Sequence, residues 1–240
     1  MHTVKRFLFA LLLLPSLLFA QARDYNGTTD QAFTVTAGPL NVTTSTFCAW
    51  LFPDTLGETS QGRFVESELR VFRTLATASI AVGYTHSTTS ATATAANNSI
   101  VLGVWNFVCT SLDASKNPKI YVGNRATPVA ETSYAAGPVQ GVGTATTESY
   151  FAIVAAATAY DGRVAHASLW DQVLTVTQMD QLRLQPYAPY WTFSNGGTRA
   201  VCKGYWPMSE SSATVAKDHC LVAHMTTISG GAVVEGAPYP

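Results

Sequence analysis

Phe47-Cys48-Ala49-Trp50 and Trp105-Asn106-Phe107-Val108-Cys109-Thr110-Ser111 decide the fold of this 240-residue chain. Each is a short run of aromatic, apolar and small residues of the kind that pleats well, and each carries one cysteine. In an oxidising compartment such a pair reads as a disulfide tying distant strands of one sandwich together. The N-terminus points to that compartment. His2, Lys5 and Arg6 precede an apolar run from Phe7 to Ala20, and Ala20-Gln21-Ala22 fits a small-x-small cleavage site. The run contains Pro15 and is short for a bilayer span. The pattern predicts a signal peptide over residues 1–22, a mature chain from Arg23, and a secreted, extracellular protein with no membrane contact after cleavage.

Fourteen Lys and Arg stand against 15 Asp and Glu, thinly spread through the chain. No basic tract interleaved with aromatic residues is present, so nucleic acid is excluded as an expected partner. Ala, Thr, Ser, Val and Gly dominate and helix-period stripes are almost absent, which favours an all-β fold. Low charge leaves much surface neutral, as in a protein covered by neighbours or by sugars.

Outward from the two cysteine runs, Gln31 to Thr36 alternates apolar and polar residues. Phe64, Leu69, Val71 and Phe72 mark one or two middle strands, and Ser79 to Tyr84 another. Thr85 to Asn98 is low-complexity Thr, Ser and Ala, read as a strand edge plus a loop. Ile100 to Leu112 and Pro118 to Val122 read as a hairpin turning at Asp113 to Pro118. Gly137 to Gly143 is a glycine-rich connection and Tyr150 to Ala157 a buried strand. Arg163 to Trp170 is the cleanest late strand: strict alternation puts Val164, His166, Ser168 and Trp170 on one face and Ala165, Ala167 and Leu169 on the other. Thr175 to Gln178 matches a capping box, opening one short helix near residues 176–185 that Pro186 ends.

These stations, in this order, resemble the pentraxin and laminin-G-like branch of the concanavalin A-like jelly-roll sandwiches. The matching pieces are Phe47 to Trp50, Trp105 to Ser111 running into Lys119-Ile-Tyr-Val-Gly123, Tyr160 to Asp171, and Val173 to Leu182. The resemblance implies a two-sheet antiparallel jelly-roll over residues 23–190 and a disulfide between Cys48 and Cys109. Past it, Gly204-Tyr205-Trp206-Pro207-Met208-Ser209-Glu210 looks like the opening tryptophan-proline strand of laminin-G-like domains, displaced here into a C-terminal extension over residues 191–240. Such a strand cannot bury its own core, so it is expected to dock on the preceding sandwich or on that of a neighbouring copy.

Cys202 and Cys220 form the natural second disulfide. A zinc reading would draw on Cys202, His219, Cys220 and His224, but the spacing lacks a Cys-x-x-Cys core and thiolates oxidise on export. Catalytic carboxylates are represented only by Glu66-Ser67-Glu68, and no third acid follows; nucleophile-elbow, zinc-protease and phosphate-loop motifs are absent. No catalytic residue, metal site or cofactor is therefore expected. His86 and His166 read as solvated or structurally satisfied imidazoles. Tyr187-Ala-Pro-Tyr190-Trp191-Thr-Phe193 is a candidate ligand or contact surface, with packing over a sheet edge as the alternative. Asn26, Asn41 and Asn97 head Asn-x-Ser/Thr sequons and are candidate glycosylation positions.

Pentraxins hold calcium through two acidic loops. Here those regions read Thr74 to Ile80 and Tyr150 to Ala157, with no carboxylate in either; Glu148 and Asp161 only flank the second. Two functional classes follow. The first is a secreted non-catalytic structural or adhesion subunit of an extracellular or viral assembly, self-associating or binding an extracellular glycan or protein surface. The second is a soluble, calcium-independent, lectin-like carbohydrate-binding domain.

Overall fold

The structure, a computed structural model, describes residues 21–27, 31–34, 44–57, 61–67, 70–86, 89–115, 117–134, 149–151, 159–188, 191–209, 218–220, 227–229 and 232–235. The expected leader up to residue 20, the connection 137–143, most of 150–157, Asn41, Glu68, Glu148, Tyr190 and His224 lie outside them.

Two antiparallel sheets form the jelly-roll sandwich that the sequence predicts. The first sheet orders β10 (Ala130–Glu131), β9 (Pro118–Asn124), β8 (Asn106–Leu112), β3 (Ser45–Pro53), β13 (Asp161–Trp170), β1 (Gln21–Asn26) and β18 (Ala232–Glu235). A further strand, β16 (Cys202–Trp206), also pairs with β13. The second sheet orders β11 (Ser133–Tyr134), β7 (Thr89–Ala95), β6 (Ser79–His86), β5 (Arg70–Leu75), β4 (Arg63–Ser67), β12 (Ser149–Phe151), β2 (Gln31–Thr34) and β17 (Thr227–Ser229). Strand β1 starts two residues ahead of the boundary expected at Arg23, with Ala22 fully buried.

The central strands β3, β8 and β13 of the first sheet are buried on both faces, so they lack the usual exposed alternate residues. Phe47, Ala49 and Leu51 of β3 meet Val164, Ala167 and Leu169 of β13 and Phe64, Phe72, Ile80 and Val82 of the facing sheet in the inner core. Cys48, Trp50, Phe107, Cys109, Ala165 and Trp170 point the other way. There they pack with Leu174, Met179, Leu182, Ala188, Phe193 and Tyr205.

Helix α1 (Val176–Leu184) lies in this outer layer. Thr175 caps it: the Thr175 hydroxyl accepts the Gln178 backbone N–H at 3.3 Å, and the Gln178 side chain accepts the Thr175 N–H at 2.8 Å, completing the expected capping box. The Thr46 hydroxyl of β3 accepts from Leu174 N–H and donates to the Gln172 carbonyl, fixing the entry to the helix. Arg183 donates to the carbonyls of Asn124 and Arg125 and pairs with Asp180, which accepts the Val129 N–H. The helix thus also holds the β9–β10 connection.

Three local readings need correction. The alternation expected along β13 fails at His166. Ala165 faces Trp50 while Ser168 faces Cys48, so three steps on β13 match two on β3, and His166 takes φ +52° at the bulge. The bulge switches the strand's phase: Val164 shares the inner face with Ala167 and Leu169, and Ser168 and Trp170 turn outward. Residues 100–105 are loop, because the Asn106 side chain binds the Val101 N–H and the carbonyls of Val101 and Val104 and curls the chain before β8. Within the low-complexity stretch, Thr89–Ala95 is a strand, β7, paired with β6.

The same bulge marks a seam. Residues Asp161 to Val164 of β13 pair with β1, and Ala167 to Trp170 pair with β16, so two chain segments share one edge of β13 end to end. The His166 N–H donates to the Pro207 carbonyl at the junction. The displaced tryptophan-proline strand therefore docks within its own chain. On the other edge, Gly162 at φ +139° lies where a Cβ would collide with the Phe52 carbonyl, so only glycine permits this approach of β13 to β3.

Cys48 and Cys109 are bonded directly across β3 and β8, and Cys202 is bonded to Cys220. The first link joins strands distant in sequence but adjacent in one sheet, on its outer face. It encloses 61 residues against 18 for the second. In the chain-entropy description the longer loop contributes about 1 kcal/mol more. Cys48→Ser should accordingly lower the melting temperature further than Cys202→Ser; the reverse order in a thermal scan would contradict this.

Candidate functional site

The segment after α1 builds an aromatic stack outward from the first sheet. Trp170, fully buried on β13, meets Phe193 with ring centres 5.1 Å apart, and Trp191 stacks on Phe193 at 5.4 Å with planes 14° apart. Phe193 is 4% exposed, whereas Trp191 is partly exposed. The Trp191 Nε1–H donates to the Gln185 carbonyl at 2.8 Å, which fixes the outermost ring against rotation.

That ring lines a cleft of about 320 Å³ with Ala188, Arg199, Ala200, Val201 and the Cys202–Cys220 disulfide. Such a volume lies at the lower end of small-molecule sites. One wall is a hairpin of β14 (Ser194–Asn195) and β15 (Thr198–Arg199), whose turn residues Gly196 and Gly197 take φ +57° and +82°. Its docking is polar. Asn195 Nδ2 donates to the Val173 carbonyl, Gln178 Nε2 to that of Ser194, and Gln172 Nε2 to that of Arg199. On the opposite side the buried Asp218 carboxylate accepts the N–H groups of Tyr205 and Cys220, placing the disulfide.

Beside this wall Tyr205 collects aromatic neighbours. Tyr187 meets it edge-on at 5.2 Å, His219 edge-on at 5.9 Å, and His166 lies parallel at 6.1 Å with Nδ1 2.7 Å from the Tyr205 hydroxyl. The Tyr187 hydroxyl is 3.2 Å from His219 Nδ1.

The structure separates the residues that the sequence groups as one contact surface. Trp191 faces the cleft, Phe193 supports it from below, and Tyr187 belongs to the Tyr205 cluster. Arg199, Ala200 and Val201 were missed by sequence reasoning; the signal for them was Asn195-Gly196-Gly197-Thr198, a hairpin turn that brings Arg199 back beside Trp191. Asn26 and Asn97 are exposed. Both cysteines of the zinc reading are spent in a disulfide, and His219 is engaged with Tyr187. Among the described residues no set of three or more His, Cys, Asp or Glu could hold a metal ion. Asp24, Asp54 and Asp161 lie near one another at the start of β13, where Asp24 is held above the usual carboxylate range first by burial and then by the other two acids, against the pull of Arg163. Glu66 sits within β4, paired to β5 and β12.

The fold and its outer layer define a concanavalin-type sandwich domain. Residues 26–179 match the family model Laminin_G_3, described as concanavalin A-like lectin/glucanases superfamily, and the chain belongs to that family. A proposed carbohydrate binding protein from Bacteroides ovatus is similar in structure, with TM-score 0.60 and 13% identity over 92% of this chain and 62% of that one. The LG1-3 region of the laminin alpha2 chain is similar with TM-score 0.50 and 10% identity over 62% of this chain and 31% of that one. A Trypanosoma rangeli sialidase solved with the inhibitor DANA gives TM-score 0.50 and 15% identity over 68% and 27%. At these identities the likeness is one of fold, and the chain spans less than two thirds of each of these structures. No curated protein matches the chain. Two disulfides in a laminin-G-like fold argue for an extracellular protein. The cleft itself is built entirely from residues beyond the family match.

Burial lowers the His166 pKa from 6.5 to about 4. The unfolded chain binds this proton more tightly, so as pH falls from about 6.5 to about 4 stability is lost, by about 3 kcal/mol at most, and below that both states are protonated. Urea denaturation near pH 7 and near pH 4 should show a smaller difference for His166→Asn, which tolerates the left-handed bulge, than for the wild type. Equal differences would remove His166 as the cause.

Proposed function

We propose that the protein is a non-catalytic, calcium-independent carbohydrate-binding domain that holds a sugar ring on Trp191. The observation that carries this is the stack Trp170–Phe193–Trp191, which fixes a flat, partly exposed indole as a wall of a small cleft. An apolar sugar face gains by covering an aromatic ring, and a ring that is already immobilised loses little entropy on binding. The similar Bacteroides ovatus structure is described as a proposed carbohydrate binding protein, which agrees with this reading. The residues described around the cleft include no carboxylate, which favours binding over hydrolysis of a glycosidic bond.

Trp191→Ala should weaken glycan binding by about tenfold or more, the usual cost of removing a central aromatic anchor. EDTA should leave the affinity of the wild type unchanged, since no described carboxylate set is available to hold calcium. Isothermal titration on both proteins checks this; binding lost to EDTA, or indifferent to the substitution, would overturn the reading.

The assembly reading loses the displaced strand as support, because β16 pairs with β13 of its own chain. It retains one observation. Val101, Leu102 and Val104 are exposed on a loop that Asn106 holds in shape, an apolar surface suited to a contact with another copy or another protein. On this reading light scattering gives more than one copy per particle, and Leu102→Asp returns it to the monomer mass; a monomeric wild type would dismiss self-association through this loop.

A further inference from the structure

Resting on the carbohydrate reading of the same cleft, we infer that the ligand is an acidic sugar whose carboxylate or sulfate is read by Arg199. Arg199 is the one charged residue among those described around the cleft; the rest are Ala188, Trp191, Ala200, Val201 and the Cys202–Cys220 disulfide. Its side chain is exposed and enters none of the ion pairs formed among the described residues.

The polar groups around it are otherwise committed. Lys203 pairs with Asp171 at 3.4 Å, and Asp171 also accepts the Val201 N–H at 2.7 Å. Asp218 is 1% exposed and is spent on the N–H groups of Tyr205 and Cys220. No described carboxylate pairs with Arg199, and the described lining is net positive in a protein whose overall charge is −1.

The cation is also presented on a tethered arm. The Arg199 carbonyl accepts from Gln172 Nε2 at 3.2 Å, and the next N–H, that of Ala200, donates to the Phe193 carbonyl at 2.9 Å. The arm is therefore anchored to the same residue that supports Trp191 from below. Trp191 and Arg199 line the same cleft, so a sugar laid on the ring lies beside the arginine. The planar guanidinium fork matches the paired oxygens of a carboxylate or a sulfate, which a neutral hydroxyl cannot reproduce.

The test is binding of the purified protein to an array of neutral, uronic-acid-bearing, sialylated and sulfated oligosaccharides, repeated with Arg199→Gln, Trp191→Ala and Lys119→Gln. Acidic members should dominate, and Arg199→Gln should weaken them about ten- to hundredfold, as loss of a charge-assisted hydrogen bond does. Lys119→Gln removes an equal charge from an exposed pair with Glu131 on β9 and β10, and should leave binding within about twofold. The carboxylated and sulfated arms then distinguish which anion is read. Preference for neutral sugars, or acidic binding unchanged by Arg199→Gln, overturns the inference while leaving a Trp191-dependent sugar site in place. Binding to no member, or binding indifferent to Trp191→Ala, removes the sugar site and the inference together.

Discussion

The structure depends on covering the outer face of the first sheet. In a plain two-sheet sandwich that face would meet water, and its residues would be polar. Here it carries Trp50, Phe107, Tyr121 and Trp170 beside the Cys48–Cys109 disulfide. Each buried aromatic ring removes about 150–250 Å² from water, worth at most roughly 4–6 kcal/mol. Exposing two or three of them would cost as much as the whole net stability of a typical domain, about 5–15 kcal/mol. The layer made by α1 with Ala188, Phe193 and Ala200 is thus part of the fold rather than an appendage. This explains why Tyr205 and Phe193 are as buried as the core residues of the family match that precede them.

That requirement also accounts for the bulge at His166. Strand β13 must put apolar residues inward along its whole length while turning Ala165 and Trp170 outward, five residues apart. Strict alternation places two residues separated by an odd number on opposite faces. One extra residue resolves the conflict, and His166 absorbs it in a left-handed conformation that few non-glycine residues adopt without strain. The kink falls where the pairing of β13 with β1 ends and that with β16 begins, so one irregularity serves both the phase change and the junction of two partner strands. Its imidazole is consequently buried beside Tyr205 and kept neutral over the ordinary pH range.

Much of this was legible in the sequence because it rests on local chemistry. Thr175 and Gln178 encode their own cap, Asp113 to Pro118 its turn, and the order of the cysteine and tryptophan stations the sandwich. The phase change in β13 was not legible, since a bulge leaves no mark in composition and alternation is the only rule available for a strand read alone. Ile100 to Trp105 reads as strand by propensity, yet a single Asn106 side chain outbids it with three hydrogen bonds. The site was half legible. Trp191 announces itself as an aromatic in a Pro-rich stretch, but which of the three neighbouring rings faces solvent depends on the sheet beneath, which no linear pattern reports. Arg199 was passed over because a lone exposed arginine carries no signal until the Gly196-Gly197 turn folds it back to the cleft.

The two roles of the C-terminal segment constrain one another. Trp191 can be flat, immobile and partly exposed only because Phe193 and Trp170 fill the space beneath it, and they are there because the sheet needs a cover. The hairpin that carries Arg199 is anchored through Gln172, Val173 and Gln178, the residues that lead into and cap α1, so the arm inherits the rigidity of the helix start. A candidate surface assembled from a cover has little freedom to move, since each displacement would open the apolar face below. Any ligand must therefore meet a preformed cleft, which keeps the ordering cost of binding low and places selectivity in the few side chains that reach its rim.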